Sequence, residues 1–168
     1  YSSLCGITKE ELLTTFTPEI ERLGVSNGMD FDTTLEQMTK LYDGYHFYPH
    51  CEGVFNPFSV LNACKSKILD NFWFQTGTPT YLVNLLKESD YDLRLLIEGV
   101  EVTASAFFEY RAEVKNPLPM IYQSGYLTIK DYDRDVLLYT LGFPNDEVRY
   151  GFLNFLVPYY TEVTDDET

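Results

Sequence analysis

The sequence predicts a mainly α-helical protein whose second half contains one β-hairpin. Through most of the chain, apolar residues recur every three or four positions, between residues that start helices and residues that end them. Over residues 126–141 this spacing changes to an alternation of apolar and polar residues around a turn at 133–135, and after Asn145 the helical spacing returns. Three helices followed by a hairpin is the order of a winged-helix domain, so we predict a winged-helix-like second half.

Two short helices are predicted near the start of the chain. Glu11 lies three residues after Thr8, which is the spacing of a capping box in which each side chain binds the backbone N–H group of the other residue. Pro18 suits the first turn of a second helix, because its missing N–H group would have no helical partner there. We expect this second helix to be a short piece over residues 19–23 that Gly24 stops.

A longer third helix and a fourth helix follow. Asp30 or Asp32 is the expected N-cap of the third helix, which carries apolar residues on one face and ends at Gly44. The next dozen residues contain proline and glycine and are predicted to be irregular. Asn56 is the expected N-cap of the fourth helix, with Pro57 at its first position.

A short aromatic segment at residues 71–74 leads into the last helix of the first half, and the second half begins after Asp90. A helix is expected from Thr76 to about Glu88, with Pro79 in its first turn. Asn145 is predicted to cap a closing amphipathic helix after the hairpin. Three further helices are expected between these two elements, at residues 93–98, 104–110 and 118–124.

Composition indicates a folded, acidic protein that is unsuited to broad nucleic-acid binding. Its 168 residues are 45% hydrophobic, and they carry 12 Lys and Arg against 26 Asp and Glu, a net charge of −14. Phosphate binding needs clustered cations, so we expect no tight binding to duplex DNA at physiological salt. Three irregularly spaced cysteines fit reduced thiols and a cytoplasmic location, and no apolar run is long enough for a membrane span.

Two patterns resemble metal sites but are weak. His46, His50 and Cys51 lie close in the sequence, yet Pro49 interrupts the helix that a histidine pair four residues apart would need. We therefore expect no metal site at these residues.

A second pattern imitates the acidic and lysine residues of metal-dependent nucleases. Glu113 and Lys115, with Asp92 upstream, have a similar order, but the intervening sequence predicts helices instead of the strands that would gather these side chains around one metal ion. The nuclease interpretation is the least favoured.

Five stretches taken together resemble a predicted AAA-ATPase-like family of bacterial proteins. They are YDGYHF from Tyr42, FNPFSVL from Phe55, FQTGTPTYLVNLL from Phe74, YQSGYLTIKDYD from Tyr122 and YTLGFPNDEVRYGFLNFL from Tyr139. In that family a P-loop ATPase core is followed by a helical lid and a winged-helix-like domain, and usually by a PD-(D/E)xK nuclease-like domain. His46 departs from the family, which usually has arginine there, so the resemblance carries over no role for a cation at this position.

The resemblance implies a helical lid-like region at residues 1–89, a winged-helix-like domain with its closing helix at 90–161, and a linker at 162–168. It also implies that the chain is part of a longer protein. No phosphate-binding G-x-x-x-x-G-K-[ST] motif and no acidic strand end for magnesium occur in the sequence, so we expect no catalytic residues and no ATP hydrolysis by the isolated chain.

The resemblance also points to candidate cofactor-binding residues. Gly77, Thr78 and Pro79 would lie at a helix N-terminus that contacts ATP or ADP in the complete protein, whereas the pattern alone favours a capped helix with proline at its first position. Tyr42 and Tyr45 would wall an adenine pocket or pack the lid on the ATPase core, and a helix end with two packed tyrosines is the alternative.

Three functional hypotheses follow. The first is a non-catalytic C-terminal part of an AAA-type ATPase that senses nucleotide, couples domains, and has its own P-loop core and C-terminal domain as partners. The second is a protein-interaction or assembly module without nucleotide binding. The third is a nuclease-associated fragment.

Overall fold

The computed structural model describes residues 5–76, 80–89, 91–108 and 116–156. Over these residues the chain is mainly α-helical with a small antiparallel sheet, which confirms the predicted fold class. A 3₁₀ turn (Trp73–Thr76) precedes α5, and a π-helical turn (Phe152–Leu156) follows α9. The strands are β1 (Val100–Thr103), β2 (Thr128–Asp133) and β3 (Leu138–Gly142). The helices are α1 (Lys9–Thr15), α2 (Thr17–Asn27), α3 (Phe31–Tyr42), α4 (Pro57–Ser66), α5 (Thr80–Ser89), α6 (Leu95–Glu98), α7 (Ala104–Phe108), α8 (Leu118–Gln123) and α9 (Asp146–Gly151).

Side-chain caps start three of the first four helices, as predicted. Thr8 Oγ1 accepts the N–H of Glu11 at 3.1 Å, and the Glu11 carboxylate accepts the N–H of Thr8 at 2.9 Å, which is a complete capping box. Asp30, not Asp32, caps α3. Asn56 caps α4, with Pro57 as its first residue.

The predicted end of α2 is wrong. The helix continues through Gly24 to Asn27 and ends at Gly28, whose φ of 68° is left-handed. Gly24 is buried where α3 approaches, and a Cβ there would lie 2.6 Å from Thr34 Oγ1. This glycine permits close packing between helices and does not act as a stop signal.

The predicted hairpin is confirmed, but its turn covers residues 134–137 instead of 133–135, and the structure adds a strand that the sequence analysis missed. β2 and β3 pair antiparallel from Thr128 opposite Gly142 to Asp133 opposite Leu138. β1 pairs antiparallel with the other side of β3, so the sheet order is β1-β3-β2. β1 has four residues with Val102 alone buried, which is too short a pattern to show alternation. β1 lies between α6 and α7 in the sequence and joins the hairpin in a three-stranded sheet.

The helices of the second half differ from the predicted bounds. Residues 73–76 form a 3₁₀ turn and α5 runs from Thr80 to Ser89, so Thr76 does not begin an α-helix. α6 begins at Leu95 instead of Leu93. The predicted end of α7 at residue 110 lies outside the described residues. No helix in the described part of the chain is long and apolar enough to cross a membrane.

Two clusters of buried apolar residues form the core. The first contains Leu12, Ile20, Leu23, Met38, Tyr42, Phe55, Val60, Ala63 and Phe72. The second contains Phe74, Leu82, Leu86, Leu93, Leu96, Val102, Leu118, Ile121, Tyr126, Leu127, Ile129, Leu141, Val148 and Phe152. The clusters divide around Trp73, and α5 packs in the second one through Leu82 and Leu86. The domain boundary predicted after residue 89 therefore does not coincide with this division.

Candidate functional site between the two halves

We call the elements of the first cluster, up to Phe72, the first half of the molecule and those of the second cluster, from Trp73 on, the second half. Residues 42–46, which follow α3, form hydrogen bonds to both halves through their backbone. The N–H of Asn56 donates to the Tyr42 carbonyl at 2.8 Å, and the Asn145 side-chain amide donates to the Asp43 carbonyl at 2.9 Å. His46 N–H donates to Thr128 Oγ1 at 2.7 Å, and that hydroxyl donates to the His46 carbonyl at 3.0 Å. The YDGYH stretch thus connects α4, α9 and β2.

Gly44 is required at the centre of this stretch. Its φ of 97° is left-handed, and a Cβ there would overlap the carbonyl oxygen of Pro144. The segment after α3 and the segment before α9 therefore approach each other more closely than any side chain would allow.

Tyr42 and Tyr45 both lie at this junction, and both are engaged in packing. Tyr42 is 0% exposed, and its hydroxyl donates to the Asp70 carbonyl at 2.9 Å and accepts the Asp70 N–H at 3.1 Å. Tyr45 packs edge-on against Trp73, with ring centroids 6.4 Å apart. Its hydroxyl is enclosed near the amides of Asn56 and Asn145, without a hydrogen bond of normal geometry to a described residue. Burial raises the pKa of both phenols.

The predicted nucleotide contacts stay predictions. Tyr42 has no exposed ring face, so an adenine would need another surface of the junction or a rearrangement of it. Gly77, Thr78 and Pro79 lie outside the described residues. They follow the 3₁₀ turn that begins with Trp73 at the same junction.

Glu147 is a buried carboxylate on which both halves converge. It lies in the first turn of α9 and is 0% exposed. Its Oε1 accepts the N–H groups of Phe72 at 2.8 Å and Trp73 at 3.0 Å. Ser59 Oγ on α4 lies 2.8 Å from each carboxylate oxygen. Burial raises the pKa of Glu147, and the three hydrogen-bond donors oppose that shift.

We call the region formed by residues 42–46, Ser59, Trp73, Thr128, Asn145 and Glu147 the seam. Trp73 is its aromatic centre, since it contacts Tyr45 on one side and Tyr126 on the other, with ring centroids 5.2 Å apart in the second contact. Gly125 has a left-handed φ of 81°, and a Cβ on this residue would lie 3.3 Å from the Trp73 ring. The seam is thus polar at Glu147 and aromatic at Trp73, and both parts join the two clusters.

Asp43 and His46 place polar side chains at the edge of the seam. Asp43 Oδ1 is buried without a hydrogen bond to a described residue, and burial raises the pKa of this carboxyl. His46 Nδ1 lies 2.9 Å from the Cys51 carbonyl, while the Cys51 thiol donates to the Tyr48 carbonyl at 2.9 Å. No group of three or more metal-ligating side chains occurs among the described residues.

A cavity of about 630 Å³ opens beside the seam. It lies between the end of α3, the start of β1, the end of β3 and the start of α9. Its lining includes three cations, Lys40, Lys130 and Arg149, and three carboxylates, Asp43, Glu98 and Asp146. This volume is within the range of small-molecule sites.

Lys130 reaches this cavity because of a β-bulge. Thr128 and Ile129 pair with Gly142 and Leu141, but Asp131 pairs with Thr140, so Lys130 is the extra residue of β2. Its stem packs over Gly142, and its Nζ donates to the Pro144 carbonyl at 3.4 Å. Burial lowers the pKa of this ammonium, and Asp43 opposes the shift.

The two surfaces expected to contact DNA in a winged-helix domain are α8 and the hairpin turn, and Arg134 is the single cation in the two. α8 has the sequence LPMIYQ, without a cation. The hairpin turn and the residue before it contain two aspartates and Arg134, and Asp133 Oδ1 accepts the N–H of Asp135 at 2.8 Å. Val136 and Leu137 at the tip are 59% and 55% exposed. These surfaces fit a protein partner better than phosphate.

Of the three residues in the nuclease-like pattern, the structure describes Asp92 alone. Asp92 is partly exposed and paired with Arg94, whose hydrogen bonds lower the pKa of Asp92 to about 2. Glu113 and Lys115 lie outside the described residues.

Two central residues of the site were missed from sequence. An acidic residue in the first turn of a helix, as Glu147 is, ordinarily faces solvent and interacts with the helix dipole. The alternation of the strand predicts only that the Lys130 side chain faces away from the core. The one available signal for Lys130 was Gly142 across the hairpin, since a glycine inside a strand often marks a bulge or a close approach.

No family model matches this chain, and no solved structure matches it. Over 151 residues the chain is 33% identical to a protein from Azotobacter chroococcum mcd 1 described as "Uncharacterized protein in vnfD 5'region". The alignment covers 89% of this chain and 27% of that protein, so the chain spans about a quarter of the length of its relative.

Proposed function

We propose that this chain is a non-catalytic part of an AAA-type ATPase, with a helical lid and a winged-helix-like domain that sense bound ATP or ADP and couple domains. Its partners are then the P-loop core and C-terminal domain of the complete protein, in the cytoplasm. The similarity to about a quarter of a longer protein supports a role as one portion of a larger assembly.

The hydrogen bonds of Glu147 carry this proposal. They join α9 to α4 and to the backbone at residues 72 and 73. Trp73 is four residues before Gly77, the first of the proposed nucleotide contacts. Buried donors are costly to leave unpaired, so a displacement of the backbone at residues 72 and 73 would also shift Glu147 and α9. This is the mechanical requirement for coupling nucleotide state to domain position.

Nucleotide titration of the complete protein tests the sensing role. Pro79→Ala is expected to weaken ATP and ADP affinity about tenfold, equivalent to ~1.4 kcal/mol. Pro18→Ala is the matched control, because Pro18 occupies the first turn of α2 in the other half. Equal nucleotide affinity in the wild type and both variants would contradict the sensing role.

A protein-interaction module is the second candidate, favoured by the exposed tip of the hairpin. Val136 and Leu137 present adjacent apolar side chains beside acidic ones at the tip, and adjacent exposed apolar side chains can mark a contact with another protein. Val136→Ser with Leu137→Asn is expected to weaken association with the separately produced remainder of the complete protein, measured by sedimentation. Asparagine suits position 137, whose φ is 54°. Unchanged association would remove this candidate.

A further inference from the structure

We propose that the cavity beside the seam binds a phosphate monoester of a polyhydroxy compound, such as a sugar phosphate. The proposal concerns Lys130 and Arg149 and does not depend on nucleotide contact at Gly77, Thr78 and Pro79. It rests on the position of the cations, the shape of the hairpin and the mixed charge of the lining.

The first argument is the concentration of cations. The chain has 12 Lys and Arg and a net charge of −14, yet three of these cations line one cavity. Lys130 and Arg149 form no ion pair with a carboxylate among the described residues, whereas Lys40 pairs with Glu36 at 3.0 Å. Two cations without carboxylate partners, at one cavity of an acidic protein, are suited to an external anion.

The second argument is the bulge that directs Lys130. A regular strand would turn this residue to the face opposite its neighbours, whereas the bulge adds one residue and redirects the side chain over Gly142. Lys130 is exposed as a residue, but its stem lies over Gly142, which limits the positions of the ammonium and lowers the conformational entropy lost on binding. The ammonium makes a single weak contact in the described structure, to the Pro144 carbonyl at 3.4 Å, which a phosphate oxygen can replace.

The third argument concerns the part of the ligand other than its phosphate, which the carboxylates of the cavity would contact. Asp43, Glu98 and Asp146 also line the cavity, and their carboxylates are hydrogen-bond acceptors that repel a bare inorganic anion. A ligand with hydroxyl groups beside its phosphate satisfies both kinds of lining. The volume of about 630 Å³ accommodates a molecule of this size.

Calorimetric titration of the full chain with ribose 5-phosphate, inorganic phosphate and ribose tests the proposal. Ribose 5-phosphate is expected to saturate the protein with a Kd below about 1 mM, and to bind more tightly than either inorganic phosphate or ribose. Lys130→Met keeps an apolar stem over Gly142 and is expected to raise the Kd at least tenfold, as is Arg149→Met at an exposed position of α9.

Lys65→Met is the matched control. It makes the same change in net charge on the exposed face of α4, outside the cavity, and should leave the Kd unchanged within about twofold. Thermal unfolding of each variant establishes that it is folded, and Arg149→Met tests the site even if Lys130→Met is unstable. The proposal is overturned by absence of saturation, by equal binding of ribose and ribose 5-phosphate, or by an equal effect of Lys65→Met.

Discussion

The first half of the molecule is built from helices that their own sequence specifies, whereas the second half depends on contacts between distant residues. α1, α2, α3 and α4 have 7, 11, 12 and 10 residues, and side chains at their N-caps bond the first turn in three of them. α6 and α8 have 4 and 6 residues and no side-chain cap from the N-cap residue. Isolated helices of all these lengths are marginal, and α6 and α8, the shortest and without a side-chain cap, depend most on the sheet and the aromatic core.

This difference predicts how each half responds to mutation. A change in a cap should affect the first half locally and modestly, because the helix keeps its packed face. A change in a long-range contact should cost more in the second half, because no local signal replaces it. Local caps and long-range hydrogen bonds both occur in the seam, so Glu147 should be the position that is most sensitive to mutation.

Glu147→Ala is expected to have the largest effect. It removes the acceptor from the N–H groups of Phe72 and Trp73 and from the Ser59 hydroxyl, and each unsatisfied buried donor costs about 1–3 kcal/mol. The alanine variant no longer buries a carboxylate, and the desolvation cost that it avoids offsets part of this loss. The free energy of unfolding should therefore fall by about 3 kcal/mol. Urea unfolding followed by the fluorescence of Trp73, the one tryptophan of the chain, measures this loss at the seam.

Glu88→Ala is the control for this experiment. It removes the same charge from an exposed position of α5 and should change the free energy of unfolding by less than about 0.5 kcal/mol. Comparable losses in the two variants would show that Glu147 does not join the halves.

Gly151→Ala is expected to have the next largest effect, and it tests the packing of the second half. A Cβ on Gly151 would overlap the ring of Phe74, so α9 or the aromatic core has to shift. Overpacking of this kind costs about 2 kcal/mol. Gly28→Ala in the first half has open space around the new Cβ. Its positive φ alone should lower the free energy of unfolding, by about 1 kcal/mol. Differential scanning calorimetry should show the lower Tm for Gly151→Ala, and the reverse order would contradict the comparison.

Thr8→Ala measures the local contribution of a cap in the first half. Loss of the hydroxyl acceptor for the Glu11 N–H should lower the free energy of unfolding by about 1 kcal/mol. Thr8→Ser keeps an equivalent oxygen and should retain most of that stability. If chemical denaturation shows the same loss for serine as for alanine, the capping hydrogen bond is not the source of the effect.

The same distinction explains what could be predicted from sequence. The caps at Thr8 and Asn56 and the alternation of the hairpin are local signals, and the structure confirms them. Gly24 and Glu147 have ordinary local patterns, and their positions depend on which helix approaches them. The cavity is likewise not readable from local spacing, because it forms only after α3, the sheet and α9 have packed together.

The smallest expected effect is a pH dependence that separates Glu147→Gln from the wild type. Glutamine can accept the N–H groups of residues 72 and 73 through its carbonyl and donate to Ser59 through its amide, so it should be tolerated far better than alanine. Burial raises the pKa of Glu147 in the folded state above its ordinary value of 4.5. The folded protein therefore binds this proton more tightly than the unfolded chain does.

The sign of the effect follows from that difference. Wild-type stability from this group is fully present below the unfolded pKa and is lost as pH rises through the folded pKa, whereas glutamine does not titrate. Asp43, whose pKa is also raised, is common to both proteins, so its contribution is largely removed by taking their difference. The free energy of unfolding of Glu147→Gln relative to wild type should therefore increase as pH rises above about 4.5 and level off above the folded pKa. Urea unfolding of both proteins across this range measures it, and a relative stability that falls with pH would mean that the three donors outweigh burial at Glu147.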